Sequence, residues 1–408
     1  MTVKFSSKEI HFLKKDSDNF KIKPPETYFS DLLLTKKNRI KAFQKKLSEV
    51  TISWNNFLCA VLELNSDRSE SIIKNKKETL ETFFNSFPDH KKGIWKCLSK
   101  TSFIMAFCGY ESEKKAANRL VSLKEKLSTA FRTEILMGVA KFPCHDFSKP
   151  QTVVNALKAA DHAAFFGPDT LIHFDAVSIN ISADRLYQLN KYNMAIKEYK
   201  KGLEIEPNNI NLINSLGVCF GVMGKLDNAK LEFEKALKIN PNEVMVIYNT
   251  GLLYQINGNL YQAIQCLHKA HDIDDCVFEV EFLLGKLLFK IQQFDRAMAH
   301  LEAASRINPE SGLVFRIKGE IYLAKNQPEK AGIEFNKAVK LNPLDAVALS
   351  GYAKSMLLQD KNLNIAISLA KKSIAIQPAN SLFKDRLKAI MKKIEVHASQ
   401  EEKIKSAS

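Results

Sequence analysis

Residues 210–243, INLINSLGVCFGVMGKLDNAKLEFEKALKINPNE, are followed at the same length by residues 244–277, VMVIYNTGLLYQINGNLYQAIQCLHKAHDIDDCV. Set one above the other, they place Gly217 over Gly251, Gly224 over Gly258 and Ala229 over Ala263, a repeat of 34 residues. Followed outward, the same register collects Pro207, Pro241, Pro309 and Pro343 in one column, with Asp275 in the missing slot. A second column holds Ala195, Ala229, Ala263, Ala297 and Ala331, and a third Gly202, Ala236, Ala270, Ala304 and Ala338. Large apolar residues fill a fourth at Tyr199, Phe233, Leu267, Leu301 and Phe335, and Gly217, Gly251, Gly285 and Gly319 a fifth.

Each column has a mechanical reason. Small residues let two helix backbones come together, and large apolar ones fill the space between successive helix pairs. A proline after the second helix lacks the N–H that continuation requires, so it closes the unit. Breaker-rich turns inside the pairs fall at matching offsets, as at Gly224-Lys225-Leu226, Gly258-Asn259-Leu260 and Asn326-Gln327-Pro328. The units are delimited as 176–209, 210–243, 244–277, 278–311, 312–345 and 346–380, the last with one extra residue around Gln359 to Asn364. Residues 381–397 read as a capping helix with Leu387, Ile390, Met391 and Ile394 at helical spacing, and 398–408 as a disordered tail.

These columns resemble the tetratricopeptide repeat (TPR) family. The resemblance implies an all-α solenoid of six helical hairpins that binds a protein or peptide along a concave face lined by the first helix of each hairpin. Groove positions carried over from the family are Asn180, Asp184, Asn211, Asn214, Tyr248, Leu252, Phe282, Lys286, Arg316, Glu320 and Lys354. The cations Lys286, Arg316 and Lys354 are separated by neutral or acidic neighbours, so no carboxylate clamp is expected. Tyr248 and Phe282, on a face expected to be exposed, form either an apolar anchor for a partner or an intramolecular packing contact with each other.

Upstream, short apolar segments alternate with charged helical ones. Residues 57–64, 102–108, 135–142 and 170–177 read as strands, and 72–84, 113–131 and 150–165 as helices, giving an α/β domain over 51–175. Residues 1–50 read as an arm with one amphipathic helix over 26–50, following Pro24-Pro25. The segments Gly138-Val139-Ala140-Lys141-Phe142-Pro143 and Ala156 to Phe165 resemble the penultimate strand and the helix of the GGDEF fold of bacterial diguanylate cyclases, in a degenerate form. The resemblance places the signature hairpin at Leu98 to Phe107, where the paired glycines and acidic residues needed for nucleotide and metal are missing. Glu63 is the sole candidate metal carboxylate of the first strand, and no Arg-x-x-Asp inhibition motif precedes the hairpin at 89–93. Cyclase activity is therefore not expected.

The chain has 408 residues and a net charge of +15 spread over both halves, which implies solubility without a dense patch for nucleic acid. No signal peptide and no apolar run of membrane-spanning length is evident, so the expectation is a cytoplasmic protein without membrane insertion. Seven cysteines without a CxxC pair read as reduced, mostly buried thiols. The His-Asp neighbours His145-Asp146 and Asp161-His162 read as ordinary surface residues, not metal ligands. The reading is a non-catalytic bacterial scaffold or signalling adaptor with no catalytic residues, cofactor or metal. The alternatives are a sensor that responds to a guanine nucleotide and a structural assembly factor.

Overall fold

The computed structural model describes residues 28–65, 93–108 and 113–407, in two compact units that divide between Asn240 and Pro241. The helix expected at 72–84 lies outside the described residues.

The first unit opens with helices α1 (Leu32–Thr35) and α2 (Lys37–Val50), so the single helix expected over 26–50 is interrupted at Lys36, whose φ/ψ of −121°/29° is not helical. A five-stranded sheet follows: β1 (Phe57–Leu64), β2 (Gly93–Cys97), β3 (Ser102–Phe107), β4 (Ile135–Phe142) and β5 (Leu171–His173), in the order β2-β3-β1-β4-β5. Only β4 and β5 pair in parallel. The alternation of side chains along β1 divides the core. Phe57, Cys59 and Val61 pack with Ile40, Phe43 and Leu47 of α2 and with Val153, Ala156 and Leu157 of α4 (Lys149–Ala164). Leu58, Ala60, Leu62 and Leu64 pack with Leu120, Leu123, Leu127 and Phe131 of α3 (Glu113–Phe131) on the other face.

Two strands depart from expectation. β2, GIWKC, is absent from the sequence reading because it is short and interrupted by Lys96; it pairs with β3 as a hairpin turning over residues 98–101. β5 stops at His173 instead of reaching residue 177. Asp175 accepts a hydrogen bond from the Ser178 amide at 2.8 Å and so caps α5 (Ala176–Gln188).

The unit continues through α6 (Tyr192–Ile205), α7 (Ile210–Val222) and α8 (Leu226–Ile239), so it holds the α/β part together with the first two hairpins. Polar contacts help to join them. Lys158 of α4 pairs with Glu198 of α6, Arg185 of α5 meets Asp31 at 3.1 Å and lies 4.6 Å from the Tyr28 ring centroid, and His162 is 3.2 Å from Ser178.

The second unit contains four further hairpins, α9 (Val244–Ile256) with α10 (Leu260–Ile273), α11 (Phe278–Lys290) with α12 (Phe294–Ile307), α13 (Gly312–Ala324) with α14 (Pro328–Leu341), and α15 (Ala346–Leu358) with α16 (Leu363–Ile376). The C-terminal helix α17 runs Ser381–Ala407 and does not end at residue 397; its last turns contain neither Gly nor Pro and are rich in Glu and Lys, which favour helix.

The glycine column meets the large apolar column as the register demands. A β-carbon on Gly217 would lie 2.5 Å from the Phe233 ring, and one on Gly285 2.7 Å from Leu301 Cγ. Each hairpin turn also carries a left-handed residue at the same register: Asn190, Gly224, Gly258, Gln292, Asn326 and Asp360. The extra residue of the last unit is absorbed there, with a second left-handed residue at Asn362.

Candidate functional site

In the first unit, the proposed groove residues lie on α5 and α7. Asn180 is half-buried and its Oδ1 has no hydrogen-bond partner among the described residues. Asp184 accepts a hydrogen bond from the Tyr199 hydroxyl at 2.6 Å, so the carboxylate is used inside the hairpin. Asn211 is exposed, whereas Asn214 is buried.

In the second unit the aromatic anchor is corrected. Tyr248 and Leu252 are buried, with 4% and 5% exposure, and belong to the packing of α9. Phe282 is half-buried and stacks on Phe278 one turn earlier, centroids 5.8 Å apart and planes 7° from parallel. Helix periodicity fixes spacing along one helix and not what its neighbours cover, which is why this face was expected to be open. Lys286 is exposed and Lys354 half-buried. Arg316 donates from Nη1 to Asp345 Oδ2 at 3.1 Å, while its Nε has no partner among the described residues. Burial raises the Glu320 carboxyl above its ordinary pKa, against the opposing pull of Arg316 and Arg386. Arg386, from α17, also donates to Ser350 Oγ at 3.0 Å.

On the sheet, both oxygens of Glu63 are occupied: Oε1 accepts from Thr101 Oγ1 at 2.6 Å and Oε2 accepts from Ser102 Oγ. Burial raises this carboxyl, and the two hydroxyls partly offset the rise. The carboxylate thus fastens β1 to the turn of the β2–β3 hairpin. The neighbours Asp161 and His162 are buried and not on the surface: Asp161 accepts the backbone N–H groups of Phe29 and Ser30, and His162 Nδ1 lies 3.3 Å from Asp175. His145 is exposed, in a loop with φ 44°. All seven cysteines are free, but only Cys59 and Cys219 are buried, and Cys276 is exposed.

A third constellation has no counterpart in the sequence reading. Glu281 on α11 has a fully buried side chain, and its two oxygens meet His271 Nδ1 of α10 at 2.5 Å and His300 Nδ1 of α12 at 2.8 Å. Burial by itself would raise the Glu281 carboxyl, yet the bonds from His300 and His271 outweigh it and hold it below the usual range. His271, Glu281 and His300 line a cleft of about 510 Å³, together with Asp275, Cys276 and Arg306. No local motif links the three, which come from separate helices. The available signal is register: residues 179, 213, 247, 315 and 349, equivalent to 281, are Ile, Ile, Ile, Phe and Leu.

Family models described as TPR repeat and tetratricopeptide repeat match residues 183–221, 211–243, 232–265, 282–311 and 317–343. The helical hairpins within these residues therefore match tetratricopeptide repeats. No curated protein matches the chain in sequence. Among solved structures, PilF of Pseudomonas aeruginosa is 17% identical with a TM-score of 0.48, covering 52% of this chain and 95% of that one. YrrB, described as a TPR protein with an unusual peptide-binding site, is 19% identical with a TM-score of 0.42, covering 47% and 97%. The Cut9–Hcn1 hetero-tetramer of the APC/C gives 19% and 0.45, with 53% of this chain against 43% of that one. No helix among the described residues is long and apolar enough to cross a membrane.

Proposed function

We propose that the protein is a non-catalytic scaffold that binds a protein or peptide partner along the first helices of its tetratricopeptide hairpins. The observation that carries this reading is that polar first-helix positions are exposed, Asn211 in the first unit and, separately, Lys286 in the second. Exposed amide and ammonium groups suit the backbone and carboxylates of a peptide ligand. In the second unit Lys286 and Lys354 stand on the same helix series as Arg316. The reading of 51–175 as a degenerate GGDEF-like domain rests on the Gly138–Pro143 and Ala156–Phe165 segments. A structural role for it is supported by Glu63, whose oxygens are taken by Thr101 and Ser102.

The test is capture of partners from extract with the full chain as bait, comparing wild type with Lys286→Ala/Lys354→Ala. Partners lost from the variant at an unchanged melting temperature support recognition on this face. Partners retained equally by both overturn it.

A further inference from the structure

We propose that His271, Glu281 and His300 form a binding site for a divalent transition-metal ion of the zinc type. The donor set is two imidazoles and a carboxylate, the combination that zinc takes when a position is left for water or a further ligand. The three ligand atoms lie within 4.8 Å of one another. Bonds of about 2.0–2.1 Å at tetrahedral angles put donors roughly 3.3 Å apart. The present separations of 2.5 and 2.8 Å from nitrogen to oxygen therefore need to widen by only a fraction of an ångström to admit the ion. Each donor stands on its own helix of the second unit, α10, α11 and α12, whose packing fixes its position.

Repeat register makes the placement meaningful. The position of Glu281 is apolar in every other hairpin, and it is buried there, as at Ile247, Phe315 and Leu349. A carboxylate at such a position is costly to bury unless it is paired or ligates an ion. His300 stands in a column with Glu198, Glu232, Cys266 and Glu334, and His271 in one with Leu203, Leu237, Ser305 and Val339. His271, Glu281 and His300, none of which recurs in its column, converge on one point, in the hairpin junction that also lacks the proline of its column. The cleft gives an ion an entrance, with Asp275 and Arg306 on its walls. Two imidazole nitrogens select a zinc-type ion over magnesium, which prefers oxygen ligands.

The test uses the full chain after removal of metal with a chelator, titrated with zinc by calorimetry and melted with and without zinc. The expected result is one tightly bound ion per chain and a higher melting temperature. His271→Gln and His300→Gln should each weaken binding by at least about tenfold, and magnesium should leave the melting temperature unchanged. His145→Gln, which removes an exposed imidazole of the first unit, should bind as wild type does. His271 is partly exposed, so His271→Gln keeps the test valid if Glu281→Gln does not fold; circular dichroism checks each variant. Absence of zinc binding overturns the proposal, as does binding that survives both histidine substitutions or is lost only in His145→Gln. A magnesium response equal to that of zinc overturns the assignment of the ion.

Discussion

A β-carbon on Gly351 would lie 2.4 Å from Cζ of Phe335, and one on Gly319 would lie 2.9 Å from Cδ1 of the same ring. The fully buried phenyl group is thus held between the first helices of two successive hairpins, with no room to shift from either.

Gly351→Ala should therefore destabilise the protein although alanine is the better helix former. Overpacking costs about 1–3 kcal/mol, against a propensity gain of about 1 kcal/mol. Gly251→Ala, whose nearest neighbours would be at 3.3 Å, should cost less. Urea denaturation of the two variants gives the order, and a Gly351→Ala protein as stable as wild type would refute the packing argument.

Lys158 and Glu198 form a buried pair, with side chains 4% and 15% exposed. Burial lowers the Lys158 pKa against the pull of Glu198; burial alone would raise Glu198, but Lys158 and Lys201 hold it below the usual range. Glu198→Gln leaves the ammonium buried without its countercharge and should cost about 3–5 kcal/mol. Lys158→Met combined with Glu198→Leu should cost less than Glu198→Gln alone. A double substitution that is additive in a mutant cycle would show that the two groups are not coupled.

Asp161 carries the clearest pH signature. Burial pushes its carboxyl up to about 7, in spite of the amide hydrogen bonds from Ser30 and Phe29. A folded-state pKa above the unfolded value means that the native state binds the proton more tightly. Stability from this group is then greatest below the unfolded pKa and falls as pH rises toward about 7. The slope is about 1.4 kcal/mol per pH unit within that window. Asp161→Asn keeps an acceptor for the Phe29 and Ser30 amides and removes the titration, so its stability relative to wild type should increase from pH 5 to pH 7. A pH-independent difference would contradict the assignment.

Asp345 caps α15, accepting from the amides of Val347 and Ala348 at 3.0 Å each, and also holds Arg316. Asp345→Ala should cost about 1–2 kcal/mol from the cap alone, with a further loss from the unpaired guanidinium. Arg316→Met should cost less, because the cap survives. Thermal melts separate the two, and equal losses would deny the cap its role. Any binding assay on Arg316 variants must be read against this effect on folding.

Much of the helical array is legible in the amino-acid sequence alone. Proline, glycine and alanine act on the backbone within a turn or two, so a 34-residue register locates the hairpins and their left-handed turns at Gly224, Gly258 and Asn326. The sheet is partly legible from apolar runs such as 57–64, while β2 escapes because five residues with Trp95 and Lys96 give too short a pattern. The rest depends on groups far apart in the chain. Tyr248 is covered by neighbours that its own helix does not name, Glu63 is claimed by a hairpin turn 38 residues away, and Asp161 reaches amides 132 residues earlier. Glu281 joins His271 and His300 from adjoining helices. Local sequence sets backbone conformation, but burial and the pairing of charges are settled only when separate elements pack, and the groups that carry chemistry here are of that second kind.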